Sequence, residues 1–186
     1  MKPHHYRPNA GFSLIELMVV LLIIGIGAAA IRLGVVRNDP LDDLQRTGET
    51  LVHWFTREQD QSLITHSETG LYFMTDSVAT LSWREGDPDA GEADAVWSVI
   101  NEAAYDNDND GLVVELMLDL ESQQWVALSE QLPEEPELIQ PQVILLPSEE
   151  YTPSFILILR LDDVSDQLIK VVGDGFNRLE LSREAP

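Results

Sequence analysis

The feature that most constrains this chain is a nearly unbroken apolar run close to its start, from Phe12 to Ile31. A bilayer core requires about 20 apolar residues in a helix, so the run predicts a membrane-spanning helix. One carboxylate, Glu16, interrupts the run four residues after Phe12. A carboxylate costs about 2.5–3.5 kcal/mol at the centre of a membrane helix and less near its end. We therefore expect Glu16 to have a function and a partner.

The residues before the apolar run predict how the chain is oriented. They are mostly polar and include Lys2 and Arg7. By the positive-inside rule, these cations hold the N-terminus in the cytoplasm, so that the bulk of the chain lies across the membrane. An ordinary secretory signal is cut after its apolar stretch, at a small-residue site. Only Ala28–Ala30 offers such a site, and Arg32 follows it.

The segment Gly11–Glu16, with its short basic leader, resembles the signal of type IV pilins and type II secretion pseudopilins. In that family a membrane aspartyl peptidase cuts after the glycine, here Gly11, and methylates the new N-terminus, here Phe12. The resemblance implies that residues 1–11 are a leader peptide. It also implies that residues 12–37 are kept as a transmembrane and filament-core helix. The alternative is a plain single-span anchor in which the glutamate has no role.

The same resemblance gives Glu16 a partner. It implies that Glu16 of an incoming subunit meets the Phe12 amine of its neighbour and sets axial register. An amine and a carboxylate buried together stabilise each other more than either does alone. Gly25 and Ala29, four residues apart, form a small-residue face that lets helices pack closely, although simple helix filler explains them too.

Composition excludes several classes of function. The chain has 33 acidic and 11 basic residues and no cysteine. Nucleic-acid phosphates are repelled by such a surface, so we expect no nucleic-acid partner. Thiol chemistry is excluded, and four histidines make a zinc site a poor fit. No spacing of carboxylates, serines or glycines defines a catalytic set, so we expect no enzyme and no cofactor.

The rest of the chain predicts a helix followed by strands. Apolar residues at helical spacing predict a helix from about Pro40 to His66, so that 38–66 is the soluble part of one long, kinked helix. From Gly70 onward the period changes to two, which is typical of half-buried strands. The predicted strands are 70–75, 78–84, 97–100, 112–120, 124–128, 143–146, 155–161, 168–172 and 176–181. The predicted fold is α+β and pilin-like. A long N-terminal membrane-spanning helix packs on an antiparallel β-sandwich-like head, residues 67–186.

Three looser matches resemble the H-type minor pseudopilins of type II secretion, whose head architecture is shared with the minor pilins FimT and FimU. They are Asp39–Leu41, Leu146–Glu149 and Val172–Leu179. The resemblance implies a structural subunit of the periplasmic pseudopilus, at or near its tip, that supports export of folded proteins. Its expected partners are other minor pseudopilins, the major pseudopilin, the prepilin peptidase and an inner-membrane assembly platform. The expected location is the inner membrane, with the head in the periplasm. The alternative is a minor type IV pilin that primes pilus assembly.

The middle of the chain is strongly acidic. Residues 85–159 contain 18 Asp and Glu and no Lys, Arg or His. Two interpretations stand: a solvated face that keeps the head soluble, or a docking surface for basic patches on partner subunits. Asp106, Asp108 and Asp110 alternate before a glycine, as in the first half of a calcium loop, but Met117 stands where the bidentate glutamate belongs. A calcium site completed by remote carboxylates and an acidic turn before a strand both remain open.

Overall fold

The computed structural model describes residues 14–35, 40–85, 89, 95–105, 111–162 and 164–184. The side chains of residues 26–40 and 164–167 lie outside that description. The chain forms two compact units, Met1–Asn38 and Asp39–Pro186. Each unit is described by itself.

The described part of the first unit is helix α1, Leu14–Val35. Leu, Ile, Val and Ala make up most of its sequence, and no proline interrupts it. Glu16 lies in its first turn, where a carboxylate interacts favourably with the positive end of the helix dipole. Within the described residues, no helix combines the length and the apolar character needed to cross a membrane. The membrane span expected over residues 12–37 stays a prediction.

The second unit begins with helix α2, Pro40–Thr65, which confirms the helix predicted from Pro40 to His66. Proline suits its first position, since the first turn of a helix needs no backbone donor there. One face is buried in the head, through Leu41, Leu44, Leu51 and Phe55. Residues 36–39 lie outside the described residues, so the continuous helix expected over residues 12–66 stays a prediction.

Two antiparallel sheets form the head. The strands are β1 Thr69–Phe73, β2 Ser77–Glu85, β3 Ala95–Ala104, β4 Leu112–Leu118, β5 Gln124–Val126, β6 Val143–Leu145, β7 Tyr151–Thr152, β8 Phe155–Leu161, β9 Val164–Gly173 and β10 Glu180–Glu184. The first sheet has the order β3-β2-β1-β6-β7, and the second has the order β10-β9-β8-β4-β5. All their pairings are antiparallel. The antiparallel sheets predicted for the head are thereby confirmed, as part of an α+β chain.

The alternating segments of the sequence became strands where they were expected. Strands β1 and β2, and strands β4 and β5, pair as hairpins. Strand β8 lies in the middle of its sheet, which suits its two apolar faces. Strand β3 is longer than the predicted 97–100, and β7 was not predicted at all.

The predicted position of the last strand, 176–181, is wrong. Strand β10 covers Glu180–Glu184 instead. The Asp174 carboxylate accepts the backbone N–H groups of Phe176 and Asn177, so these donors are used in a turn and not in a ladder. The strand therefore begins only after the turn is complete.

The main core lies between the two sheets and under α2, which packs mostly on β8, β9 and β10. Phe155 is at its centre: its ring lies 5.9 Å from Phe55, 5.7 Å from Phe73 and 6.0 Å from Tyr151. Such aromatic groups bury large apolar areas and dominate core energetics. This core fixes α2 on the head.

A second, smaller core covers the opposite face of the first sheet. Met74, Ala79, Leu81, Trp97 and Ile139 are buried in it. The segment that carries Ile139 is held by Gln142, whose side chain accepts from the Phe73 N–H and donates to the Phe73 carbonyl. The acidic stretch at residues 133–137 includes the start of a 3-10 helix, Pro136–Leu138. This segment meets β3 and shapes the surface there.

Candidate assembly surfaces

Helix α1 presents an apolar surface that its own chain leaves uncovered. Ten large apolar side chains between Leu14 and Ile24 are exposed, from 45% at Val20 to 80% at Leu14. They occur on every side of the helix, because they are consecutive apart from Glu16. A helix that is apolar all round belongs inside something else: a protein core, a filament or a bilayer. The described part of α1 is therefore suited to a surrounding apolar phase or partner.

The structure places some of the predicted assembly residues and leaves others outside its description. Glu16 is in the first turn of α1, and its side chain is exposed. Gly25 lies on the same helix, and a Cβ built there meets no atom within 4 Å, so this part of α1 is open to close approach. Gly11 and Phe12 lie outside the described residues, as does the side chain of Ala29. The pairing of Glu16 with Phe12 thus stays a prediction.

The calcium candidates Asp106, Asp108 and Asp110 lie outside the described residues. Gly111, directly after them, has a φ of +103°, and its carbonyl accepts the Asp162 N–H at 3.0 Å. Gly111 therefore lies beside the β8–β9 connection. In the ranges that the structure describes, no group of three or more His, Cys, Asp or Glu side chains could hold a metal ion. The calcium prediction remains untested.

A rigid turn between β9 and β10 was not predicted in its present form. Oδ1 of Asp174 accepts the N–H of Phe176 at 2.9 Å and of Asn177 at 2.8 Å, while Oδ2 accepts Asn177 Nδ2 at 2.7 Å. These bonds, led by the Asn177 N–H, lower the pKa of Asp174 to about 2. The Asp-Gly-Phe-Asn sequence was the signal for this turn, because Asp favours bonding to backbone groups two and three residues on.

The turn is anchored from β7 and presents an aromatic ring. Tyr151 donates its N–H to the Gly175 carbonyl at 3.0 Å and its hydroxyl to the Asn177 carbonyl at 2.9 Å. Burial raises the pKa of the Tyr151 hydroxyl. Phe176 is 71% exposed on this scaffold. Its ring borders a groove of about 150 Å³ along α2. This volume is well below the several hundred Å³ of a typical small-molecule site.

A second aromatic feature lies where β2 and β3 meet. Trp83 and Trp97 face each other across the two strands, with ring centroids 5.1 Å apart and planes at 68°. Trp97 is buried in the smaller core, whereas Trp83 is 55% exposed. Beside them is a notch of about 70 Å³. Sequence patterning could not indicate it, because its other wall comes from residues 136–140, about forty positions along the chain.

The comparisons with known proteins add to these observations. Residues 6–31 match the family model described as the prokaryotic N-terminal methylation motif. That range contains Gly11, Phe12 and Glu16. No curated protein shows a significant sequence match to the chain.

Two solved structures have a similar fold. GspH of Escherichia coli, in solution, is 16% identical and has a TM-score of 0.51; the likeness covers 80% of this chain and 94% of that one. The minor pseudopilin EpsH from the type II secretion system of Vibrio cholerae is 15% identical in its crystal structure. Its TM-score is 0.50, and the likeness covers 78% of this chain and 98% of that one. At such identities the likeness establishes the fold alone.

The chain thus carries an N-terminal methylation motif ahead of a two-sheet head. Its fold is similar to that of the GspH and EpsH structures. The resemblance found in the sequence is thereby confirmed at the level of motif and fold.

Proposed function

We propose that this chain is a minor pseudopilin, a structural subunit of a type II secretion pseudopilus that supports export of folded proteins across the outer membrane. The observation that carries the proposal is helix α1, whose ten large apolar side chains are exposed directly behind a matched methylation motif. Such a surface requires a bilayer before assembly and a filament core afterwards. The protein acts by assembly and not by catalysis.

The processing steps follow from the motif. The prepilin peptidase cuts after Gly11, removes residues 1–11 and methylates Phe12. Residues 12–37 then anchor the chain in the inner membrane, and the head, residues 67–186, faces the periplasm. The positive charges of Lys2 and Arg7 favour this orientation.

Register in the filament depends on Glu16. Glu16 lies in the first turn of α1, and we expect its carboxylate to meet the Phe12 amine of a neighbouring subunit. In an apolar surrounding, either charge alone carries a large desolvation penalty that the pair reduces. The open surface at Gly25 lets a neighbouring helix come close, and Ala29 continues the same face one turn later.

A minor type IV pilin that primes a surface pilus is the second candidate, because the same motif and head serve both systems. The acidic composition disfavours a role in DNA uptake, since 33 acidic residues oppose phosphate binding. Neither function needs a bound cofactor, and calcium at Asp106, Asp108 and Asp110 would have a structural role only.

Deletion of the gene separates the two candidates. For a secretion pseudopilin, exported enzymes should accumulate in the periplasm while surface pili remain normal. Complementation with the intact gene should restore secretion, and complementation with a gene lacking codons 1–37 should not. Normal secretion together with lost pili would replace the proposal by the alternative. No change in either would contradict both.

A further inference from the structure

A groove on the head lies between the C-terminal half of α2 and the turn that follows β9. Helix α2 supplies one wall, within residues 56–63, and residues 176–178 of the turn supply another. Glu149, from the segment before β7, lines it as well. The volume of this α2 groove, about 150 Å³, is similar to that of a cavity that takes one benzene ring. One large side chain therefore fits it.

Both walls of the α2 groove are held in place. The side-chain amide of buried Gln59 donates to the Glu149 carbonyl at 2.6 Å, which ties α2 to the segment before β7. The turn is fixed by the hydrogen bonds of Asp174 and Tyr151. Phe176 is therefore presented, 71% exposed, on a rigid support. A preorganised group loses little entropy on binding, so this ring is suited to anchor an interface.

Arg178 adds a rare positive charge to the same turn. The head, residues 67–186, contains only five basic residues: Arg84, Arg160, Lys170, Arg178 and Arg183. The first three each bond to another residue of the head. In the part of the chain that the structure describes, Arg178 and Arg183 have no hydrogen bond or ion pair through their side chains. Of these two, Arg178 lines the α2 groove. A guanidinium binds a carboxylate through two parallel hydrogen bonds, so Arg178 favours an acidic occupant.

Two carboxylates limit where that acidic group can lie. Asp60 and Glu149 are exposed, and within the described residues neither carboxylate has a partner. Arg178 is the only cation among the described residues that line the groove. A carboxylate of the occupant is thus attracted at the turn and repelled at the α2 wall, which fixes the direction of the occupant. Repulsion by the rest of the acidic head is screened over about 8 Å at physiological ionic strength, so these contacts decide the fit.

We propose that the α2 groove receives an apolar side chain and an adjacent carboxylate from a different pilin-like subunit. The apolar side chain packs between Phe176 and the half-buried Leu63, and the carboxylate pairs with Arg178. Charge complementarity at Arg178 carries the choice of an acidic segment. The choice of a pilin-like partner rests on the proposed function. A second copy of this chain is disfavoured, because each copy has a net charge of -22.

Photo-crosslinking tests the groove in the full-length chain, in cells that assemble the filament. Phe176 is replaced by p-benzoylphenylalanine, and Leu138 is replaced in a matched control. Leu138 is 61% exposed, but it lies in the 3-10 helix and does not line the groove. We expect position 176 to give at least about fivefold more adduct with a pilin-like subunit than position 138, given the energies of interface anchors. Peptide mapping should place the adduct within a few residues of an Asp or Glu.

Equal or lower yield at position 176, or adducts that map only to segments without Asp or Glu, would overturn the inference. Adducts with a second copy of this chain, or with a protein outside the pilin-like class, would overturn its choice of partner. Incorporation of the wild-type chain into the filament is scored separately, so failure of the proposed function stays distinguishable from failure of the docking site.

Charge reversal tests the role of Arg178. Arg178→Glu should lower the adduct yield from position 176 by about tenfold, because the groove would then repel the incoming carboxylate. Arg183→Glu reverses an equally unpaired, exposed arginine of β10 outside the groove and should leave the yield unchanged. Both variants should unfold at the wild-type temperature. Equal yields would contradict the role of Arg178, and a higher yield in Arg178→Glu would assign the groove to a basic segment instead.

A compensating reversal separates docking from a structural role within this chain. Replacing the mapped partner carboxylate by lysine should restore the adduct yield of Arg178→Glu and lower that of the chain with Arg178. A yield that stays low in the double reversal would mean that Arg178 does not meet this carboxylate, and would overturn the pairing.

Discussion

Gly48 of α2 lies directly against Leu181 of β10. A Cβ built on the glycine would come within 2.5 Å of Leu181 Cδ1 and 3.1 Å of Ile169 Cγ2. The absence of a side chain at this one helical position therefore lets α2 seat closely on the second sheet. A larger side chain at Gly48 would overpack this contact and push α2 away from the second sheet.

The first prediction enlarges this glycine. Gly48→Val should lower the free energy of unfolding by about 1–3 kcal/mol, since buried Ile169 cannot withdraw as the partly exposed Leu181 can. Thr50→Val places the same branched side chain at an exposed position of α2 and controls for helix propensity. Urea unfolding of the full chain in detergent micelles, followed by tryptophan fluorescence, measures both. Equal stability of the two variants would show that α2 does not pack closely on the second sheet at Gly48.

The second prediction concerns the aromatic centre of the core. Phe155→Ala should cost about 3–5 kcal/mol, because the ring is buried among Phe55, Phe73 and Tyr151. Ile156→Ala, the next residue along β8, removes a half-buried side chain from the opposite face. Its cost should be less than about half as large. The same urea titration compares them, and a larger loss for Ile156→Ala would mean that the faces of β8 are assigned the wrong way round.

The third prediction concerns pH. The pKa of Asp174 in the folded chain is about 2, below the usual value of 3.8. The turn therefore contributes stability that is fully present above about pH 4 and is lost as the pH falls through 2. Asp174→Asn should be less stable than the wild type at neutral pH, and the difference should shrink below pH 3.

The control for that prediction is Glu180→Gln, which removes an exposed carboxylate outside the turn. Asp119, whose pKa is lowered mainly by the Ser122 hydroxyl, adds to the acid sensitivity of both proteins and cancels in the comparison. Unfolding midpoints in urea between pH 7 and pH 2.5 measure the effect. A difference between wild type and Asp174→Asn that grows on acidification would have the wrong sign.

The fourth prediction concerns processing. Gly11→Val should impair removal of the leader, because the resemblance implies a peptidase that cuts after a glycine at this position. Ser13→Ala, two residues beyond the cut, is the control and should be processed normally. Intact mass of the membrane-bound chain distinguishes the two forms. A fully cut Gly11→Val chain would refute the assignment of the cleavage site.

Much of the head was predictable because its strands alternate cleanly. Leu71, Phe73 and Val78 point to one core, and the register of the β1–β2 hairpin follows from them. Strand β8 was recognisable from its unbroken apolar run. Strand β3 was underestimated, because residues 99–102 are exposed on both faces and show no period. A bulge at Ile100, between the Leu81–Val99 and Thr80–Asn101 pairs, accounts for part of that irregularity.

The candidate assembly residues also differ in how far the sequence alone predicts them. Gly11, Phe12 and Glu16 are recognisable because their chemistry depends on spacing along the chain. The Trp83 notch is not, because its walls meet only after the 3-10 helix packs on β3. The Asp174 turn is intermediate: its residues favour a turn, but how far it displaces the next strand depends on which amides the carboxylate captures.

The central claim is that the Glu16 carboxylate is required for a processed chain to enter the filament. Glu16→Ala tests this claim most directly. Full-length wild-type and variant chains are expressed in cells that assemble the pseudopilus, and the filament fraction released from the periplasm is analysed by intact mass. The account predicts wild-type chain beginning at methylated Phe12 in that fraction. The variant should be cut and methylated equally but remain in the membrane. Equal incorporation of Glu16→Ala, or wild-type filament chains that keep residues 1–11, would contradict it.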